Sequence, residues 1–331
     1  MKTFIVESTS YNPWFNLALE EYLFDRIEPD SVVLYLWQNQ NTVVIGKTQN
    51  AWKECRCAQL EADGGKLARR PSGGGAVFHD MGNMCFTFLA SKELYDLERQ
   101  LKVILEAVKM HGIDANFTGR NDITTADGRK FSGNAFRFSK GIGLQHGTIL
   151  MDTDGEKMAK FLQVSVAKMQ SKGIDSVRSR VVNLITLNPD ITADSMKKCF
   201  TIAFHKEYGA SSNFEVYDES ALNAVKELVP YYDKYSSWEW RYGSNPSFDM
   251  NFETRFPWGC IEICISSDKG IITDAKVFSD AMDVNLPENI TAALPGTPLN
   301  FEAVKTALLQ AKMEGLTDQI NDIIEWLHTV L

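Results

Sequence analysis

The sequence predicts an α+β protein built as a large unit followed by a small one. Three observations carry this. Short β-branched and aromatic runs are interspersed with amphipathic helical patterns over residues 2–242. Gly243-Ser244-Asn245-Pro246-Ser247 is a short, turn-rich stretch suited to a linker. The 331 residues exceed the usual span of one domain. The expected units are 1–244 and 248–331.

Residues 2–7 read as a strand. Asn12-Pro13 then opens a helix, since Asn caps and Pro suits the first helical position. Phe15, Leu19, Tyr22 and Leu23 give that helix an apolar face. Ser31–Trp37 and Thr42–Ile45, joined by Gln38-Asn39-Gln40-Asn41, read as a hairpin. Trp52–Glu61 is a modest helix, and Lys66–Arg70 is a strand. Gly75–His79 and Met84–Leu89 are strands around Asp80-Met81-Gly82-Asn83. Leu94, Leu97, Leu101, Ile104, Leu105 and Val108 have helical spacing, closed by Gly112. Short strands follow at 116–118, 122–125, 130–134 and 143–152, with Asp127-Gly128 as a hairpin turn. Helices are expected at 154–163, at 192–208 with Thr192 as cap, and at 221–235, bent or broken at Pro230. Ser237–Tyr242 alternates like a strand. The small unit shows a hairpin around Asp268-Lys269-Gly270, then helices near 287–294, 301–314 and 317–330.

The totals narrow the function. Lys and Arg number 34 against 43 Asp and Glu, a net charge of −9. This argues against bulk nucleic-acid binding. No apolar run is long enough for a membrane helix, and the N-terminal apolar run is too short for a secretory signal. A cytoplasmic protein is expected. The six cysteines, Cys55, Cys57, Cys85, Cys199, Cys260 and Cys264, form no zinc pattern and no CxxC pair. They read as free thiols in a reducing compartment.

The stretch around which the chain is organised is Arg69-Arg70-Pro71-Ser72-Gly73-Gly74-Gly75-Ala76-Val77-Phe78-His79-Asp80. Glycines let backbone N–H groups approach a ligand closely, and successive N–H groups can cradle an anion. Two arginines add forked donors suited to phosphate or carboxylate. Taken alone, the run also fits a turn between strands. Lys130 lies in a strand signal next to Gly133, a setting from which a lysine can point into a pocket. Asp122 has the chemistry of a magnesium ligand beside substrate phosphates. His146 and His79 fit structural hydrogen-bonding roles. No Ser-His-Asp or Cys-His arrangement stands out by spacing. Neither GxGxxG nor GxxxxGK[ST] is present.

Several blocks together resemble the lipoate–protein ligase A group of the biotin/lipoate protein ligase family. They are Tyr11–Ala18, Trp37-Gln38-Asn39, Thr42–Gly46, Gln49-Asn50, Arg69-Arg70 with Gly73–Asp80, and Gly119-Arg120-Asn121-Asp122. Lys130 with Ser132-Gly133, His146-Gly147-Thr148, Val177–Val181 with Asn183, and Ser236–Trp240 continue the match. The resemblance implies a catalytic domain like those of biotin ligases and class II aminoacyl-tRNA synthetases, with a mixed sheet and flanking helices. It also implies a small α+β accessory domain at the C-terminus. The implied reaction joins lipoate to ATP, with Mg2+, giving lipoyl-adenylate and pyrophosphate. The acyl group then passes to one lysine of a lipoyl domain, as in 2-oxoacid dehydrogenase E2 subunits, or of a glycine-cleavage H protein. No nucleic acid or membrane partner is implied, and a monomer is expected.

By the same resemblance Lys130 is the central cation, touching the lipoate carboxyl and the α-phosphate. Arg70 and Gly75-Ala76-Val77-Phe78 hold the nucleotide and intermediate, with His79 closing that stretch. Ser72 and Gly74 line the lipoyl side. Asp122 binds magnesium or guides the incoming lysine. Arg178 and Asn183 belong to an adenylate-binding loop, 171–183, expected to close over an intermediate that water would destroy. Pro71 stands where many relatives carry Ser, and Gln145 where some carry His, so 145 receives no role. Two alternatives stay open. One is an ATP-independent octanoyl or lipoyl transferase, for which Cys85 is the only thiol to consider. The other is a non-catalytic lipoate-binding protein, which would be expected to have lost the lysine.

Overall fold

The computed structural model describes residues 1–118, 121–163, 181–243, 248–311 and 315–331. The chain opens with β1 (Lys2–Ser8), α1 (Pro13–Arg26), β2 (Ser31–Trp37) and β3 (Thr42–Ile45). Two short helices, α2 (Ala51–Glu54) and α3 (Cys57–Ala62), lead to β4 (Lys66–Arg69), β5 (Val77–His79) and β6 (Asn83–Ser91). α4 (Leu97–Lys109) precedes β7 (Ala115–Thr118), β8 (Asp122–Thr125), β9 (Lys130–Ser139) and β10 (Ile142–Leu150). α5 (Gly155–Phe161), α6 (Ala193–Tyr208), β11 (Asn213–Tyr217), α7 (Ala221–Ala224), α8 (Val229–Ser236) and α9 (Trp238–Tyr242) complete the large unit. The small unit holds β12 (Met250–Phe256), β13 (Gly259–Asp268), β14 (Ile271–Ser279), α10 (Asn285–Ala293), α11 (Phe301–Gln310) and α12 (Thr317–Leu327).

The main sheet runs β11-β1-β2-β6-β10-β9-β8-β7. β1 pairs parallel with both β2 and β11, and the remaining pairs are antiparallel, so the sheet is mixed. All seven residues of β2 are buried because both faces of the sheet are covered. Val32, Leu34 and Leu36 join a core with Ile104 of α4 and Phe200 and Phe204 of α6. Val33, Tyr35 and Trp37 point the other way, into a core with Phe15 and Leu19 of α1 and Tyr235 of α8. A second, small sheet, β4-β3-β5, has its own core with Phe161 of α5. The third sheet, β12-β13-β14, is antiparallel and packs on the last three helices.

Several sequence expectations are corrected here. β2 and β3 do not form a hairpin, since β2 belongs to the main sheet and β3 to the small one. Both runs are β-branched, and pairing partners are not visible in composition. Ser237–Tyr242 is a helical turn, not a strand. Ser237 caps it, its Oγ accepting the Trp240 N–H at 3.2 Å, and this local bond outweighs the alternation. Residues 221–235 form separate short helices, with Pro230 in the first turn of the last. Trp52–Glu61 is likewise two helices, parted at Cys55-Arg56. The edge strand β11 and the first strand of the small unit, β12, are additions. The linker placed at 243–247 falls outside the described residues beyond Gly243.

The small unit touches the large one at the Gly-rich loop. Gly74 donates its N–H to Ala281 O at 3.0 Å. Ser279 N–H donates to Thr48 O at 2.9 Å, and Lys53 Nζ reaches Glu253 and Glu262 at 2.9 and 2.8 Å. A Cβ at Gly73 would stand 2.3 Å from Met282 O, which is backbone. Gly73→Ala is therefore expected to push the two units apart. Small-angle scattering should show a larger radius of gyration, and an unchanged profile would contradict this contact.

Candidate active site

Arg69 ends β4 and Arg70 begins the loop, so both enter the interior. Arg69 is 7% exposed and is consumed by backbone. Its Nη1 donates to Gly46 O, Lys47 O and Gln49 O, its Nε to Trp240 O and its Nη2 to Arg241 O, at 2.6–3.2 Å. Arg70 holds the loop that follows it. Its Nε and Nη2 donate to Gly73 O, Nη2 also to Gly75 O at 2.8 Å, and Nη1 to Val44 O. Burial pulls both guanidinium groups down to about 10, which leaves them charged at neutral pH. Arg70 thus shapes the glycine run from behind and also lines the cleft in front of it.

That cleft encloses about 180 Å³ between the Gly-rich loop and strands β9, β10 and β6. Gly74, Gly75, Ala76 and Val77 form one wall. Gly74 has φ +89°, a conformation that glycine adopts freely. β5 is an edge of the small sheet, so the Val77 to Phe78 main chain has a free side. The Phe78 side chain turns away and packs on Phe161 at 5.7 Å.

Lys130 starts β9 and lines the opposite wall. Its Nζ pairs with Asp122 Oδ1 at 2.7 Å, with the two side chains 35% and 40% exposed. The absent side chain of Gly133 makes room for it: a Cβ there would stand 3.0 Å from Nζ. The last residues of the expected loop 171–183 run beside this lysine, since Val182 N–H donates to Lys130 O at 2.9 Å. Asn183 itself is tied to Thr153 by both side-chain atoms and does not line the cleft. Arg178 and the loop 171–180 lie outside the described residues.

Sequence reasoning missed the far end of the cleft. Leu17, Trp37, Cys85 and His146 line it together with His79. Behind them a polar relay is buried. Trp37 Nε1–H donates to Thr87 Oγ1, and Thr87 Oγ1 donates to Glu20 Oε1 at 2.6 Å. His146 Nδ1 is 2.9 Å from the same Glu20 oxygen, and its Nε2 is 2.6 Å from Ser72 Oγ. Ser72 Oγ also accepts from Arg70 Nε at 3.2 Å. Ser72 is therefore fully buried and secures the loop rather than facing the cavity. The signal for Glu20 was present: a carboxylate one residue from Leu19 on the inner side of α1 needs a buried partner.

Burial favours the neutral forms of the Cys85 thiol and the His79 imidazole. Burial pushes the Cys85 thiol well above its ordinary value. Burial, with Arg70 and His146 nearby, pulls His79 from 6.5 down to about 3. A base with a depressed value contributes stability that is complete above pH 6.5 and is lost as pH falls toward 3. Between pH 7.5 and 5.5 the loss from His79 alone is about 1.4 kcal/mol. Urea unfolding at the two pH values should show that difference shrinking in His79→Leu, and an equal pH dependence would contradict it.

Comparison with known proteins decides the family. Residues 12–205 match the lipoyl protein ligase A/B catalytic domain, and residues 245–327 match the bacterial lipoate protein ligase C-terminus. A lipoate-protein ligase A from Psychrobacter cryohalolentis is 40% identical over 99% of this chain and 98% of its own length. The chain belongs to the lipoate–protein ligase A family. Its fold is similar to that of P. falciparum LipL1 in complex with lipoate, with a TM-score of 0.86 at 30% identity, covering 98% of this chain and 99% of that one. A lipoate-protein ligase A bound with ATP gives a TM-score of 0.62 at 25% identity over 73% of this chain and 99% of that one. The expected mixed α+β architecture with a small C-terminal unit is borne out. Among the described residues no helix is long and apolar enough to cross a membrane.

Proposed function

We propose that the cleft between the Gly-rich loop and Lys130 is where this enzyme, an ATP-dependent lipoate–protein ligase, joins lipoate to AMP. The observation that carries the assignment is Lys130, which faces the Gly-rich loop across a cavity whose far end carries Leu17 and Trp37 beside two histidines. A lipoate carboxylate oxygen attacks the α-phosphorus, and pyrophosphate leaves. The reaction brings two anions together, so fixed positive charge rather than a nucleophile is what it requires. Lys130 bridges the carboxyl and the α-phosphate. Arg70 keeps Gly73 and Gly75 in place, and the open edge of Val77 and Phe78 receives the base. The acceptor lysine amine then attacks the acyl carbonyl, and AMP leaves.

Asp122 fits a magnesium carried on the triphosphate. One oxygen is held by Lys130, and the carboxylate is 40% exposed, so the group can join a shell made mostly of phosphate and water. When bound, the ion supplies charge neutralisation on the leaving pyrophosphate. Asn183 ties its segment to Thr153 through both side-chain atoms. The reading divides the chain into a catalytic unit, 1–244, and an accessory unit, 248–331. It takes a single cytoplasmic chain as the working form. The acceptors are lipoyl domains and the glycine-cleavage H protein.

The test is ATP–pyrophosphate exchange with lipoate in the absence of an acceptor. Lipoate-dependent exchange is expected. Acyl transfer from a pre-acylated carrier without any exchange would overturn the adenylation step. The depressed ionisation of Cys85 is one reason to expect the first result.

A further inference from the structure

We propose that His79 makes the cleft prefer an acyl chain ending in a dithiolane over one ending in a methyl group, by donating its Nε2–H to a ring sulfur. The inference rests on the reading that this cleft takes lipoate with its carboxyl at Lys130. Sheet order then places the other end of the chain. Lys130 is on β9, and β10, β6 and β2 follow in that order. Three strand spacings, about 14 Å across the sheet, lie between β9 and β2. Trp37, Cys85 and His79 cluster at that far end, with the Trp37 and His79 rings 6.3 Å apart.

The proton on His79 is assigned by a chain of hydrogen bonds that starts at backbone. Asn16 Nδ2 faces two carbonyls, Ser10 O at 3.0 Å and Gln38 O at 2.8 Å, so this atom is a donor. Asn39 Oδ1 is a third neighbour at 3.0 Å; an amide nitrogen cannot accept, so the atom facing it is the amide oxygen, sharing one of the two hydrogens. Asn39 Nδ2 is then the donor to His79 Nδ1 at 3.1 Å. The Cys85 thiol, 3.5 Å from the same nitrogen, can only add a second donor to it. Nδ1 is therefore the acceptor, and the neutral ring carries its hydrogen on Nε2.

That Nε2 is buried and has no hydrogen-bond partner among the described residues. His79 itself is 3% exposed and lines the cleft. An enclosed donor without a partner is unfavourable. A ring sulfur is a weak, polarisable acceptor that also suits the aromatic wall. A terminal methyl offers nothing to the N–H. Discrimination thus comes from one donor that only the sulfur-bearing acid can satisfy.

The experiment compares lipoate with octanoate in pyrophosphate release, using the full-length enzyme and its His79→Leu and His79→Gln variants. The wild type is expected to favour lipoate in kcat/KM. His79→Leu should lower the lipoate-to-octanoate ratio about tenfold, the scale of one buried donor left unpaired. His79→Gln keeps an N–H donor and should restore most of the ratio. An unchanged ratio in His79→Leu, or an equal loss for both acids, would overturn the proposal. Should the variants fold poorly, the wild type still decides it. With only five histidines in the chain, 15N imidazole spectra can report the His79 tautomer directly. An Nε2–H signal that moves with lipoate and stays put with octanoate is the expected result, and an Nδ1–H tautomer sinks the idea. Failure of the site assignment looks different: neither acid would move the His79 signals, and pyrophosphate release would survive Lys130→Ala.

Discussion

Lys130→Ala is expected to lower lipoate-dependent ATP–pyrophosphate exchange at least ~100-fold, the usual effect of removing one pre-organised charge from a developing anion. The fold should be little affected. Among the described residues Lys130 Nζ forms an ion pair with Asp122 alone, and both side chains are about a third or more exposed, so the pair adds little stability. Loss of rate with retained melting temperature would therefore mark a chemical role. Lys130→Arg should recover only part of the rate. A guanidinium keeps the charge but needs more room, and the space next to Nζ is what Gly133 leaves. Exchange within a few-fold of wild type in the alanine variant would remove this lysine from the centre of the reaction.

Arg69→Ala should act in the opposite way, on stability. The side chain stitches five carbonyls from two distant segments, 46–49 and 240–241. Removing it leaves buried acceptors without donors, with an expected cost of about 3–5 kcal/mol. The unfolding midpoint in urea should drop accordingly. Arg70→Ala, by contrast, loosens Gly73 and Gly75 next to the cleft and should raise the KM for ATP more than Arg69→Ala does in the fraction that remains folded. Equal effects of the two on KM would show that the glycine loop does not depend on Arg70.

The neighbouring arginines illustrate how far the sequence can be read. Their charge next to three glycines pointed to an anion site, and the structure has a cleft beside that loop. Their division of labour was not legible, because it depends on carbonyls brought in from Trp240 and Arg241 by a helix that alternates like a strand. Lys130 was legible since glycine next to a strand lysine signals room for it. Asp122 was read as a metal ligand or guide, while its pairing with Lys130 requires the register of β8 on β9. The far end of the cleft was hidden for the same reason. Glu20, Ser72, Thr87 and His146 come from four elements and meet only across the packed sheet. His79 stood out in the Gly-rich stretch, but its proton position is settled by Asn16 and Asn39, some forty residues or more away in sequence.

The parallel neighbours of β1 set a timetable for synthesis. The strand can pair with β2 as soon as residue 37 has emerged, but its other edge waits for β11, which ends at Tyr217. At ordinary elongation rates that interval is roughly 10 to 40 seconds. Throughout it, a nascent chain carries a hydrogen-bonding edge with Ile5 and Val6 at its centre, open to any other strand it meets. Slowing elongation between residues 37 and 217 should therefore lower soluble yield, while slowing it after 217 should not.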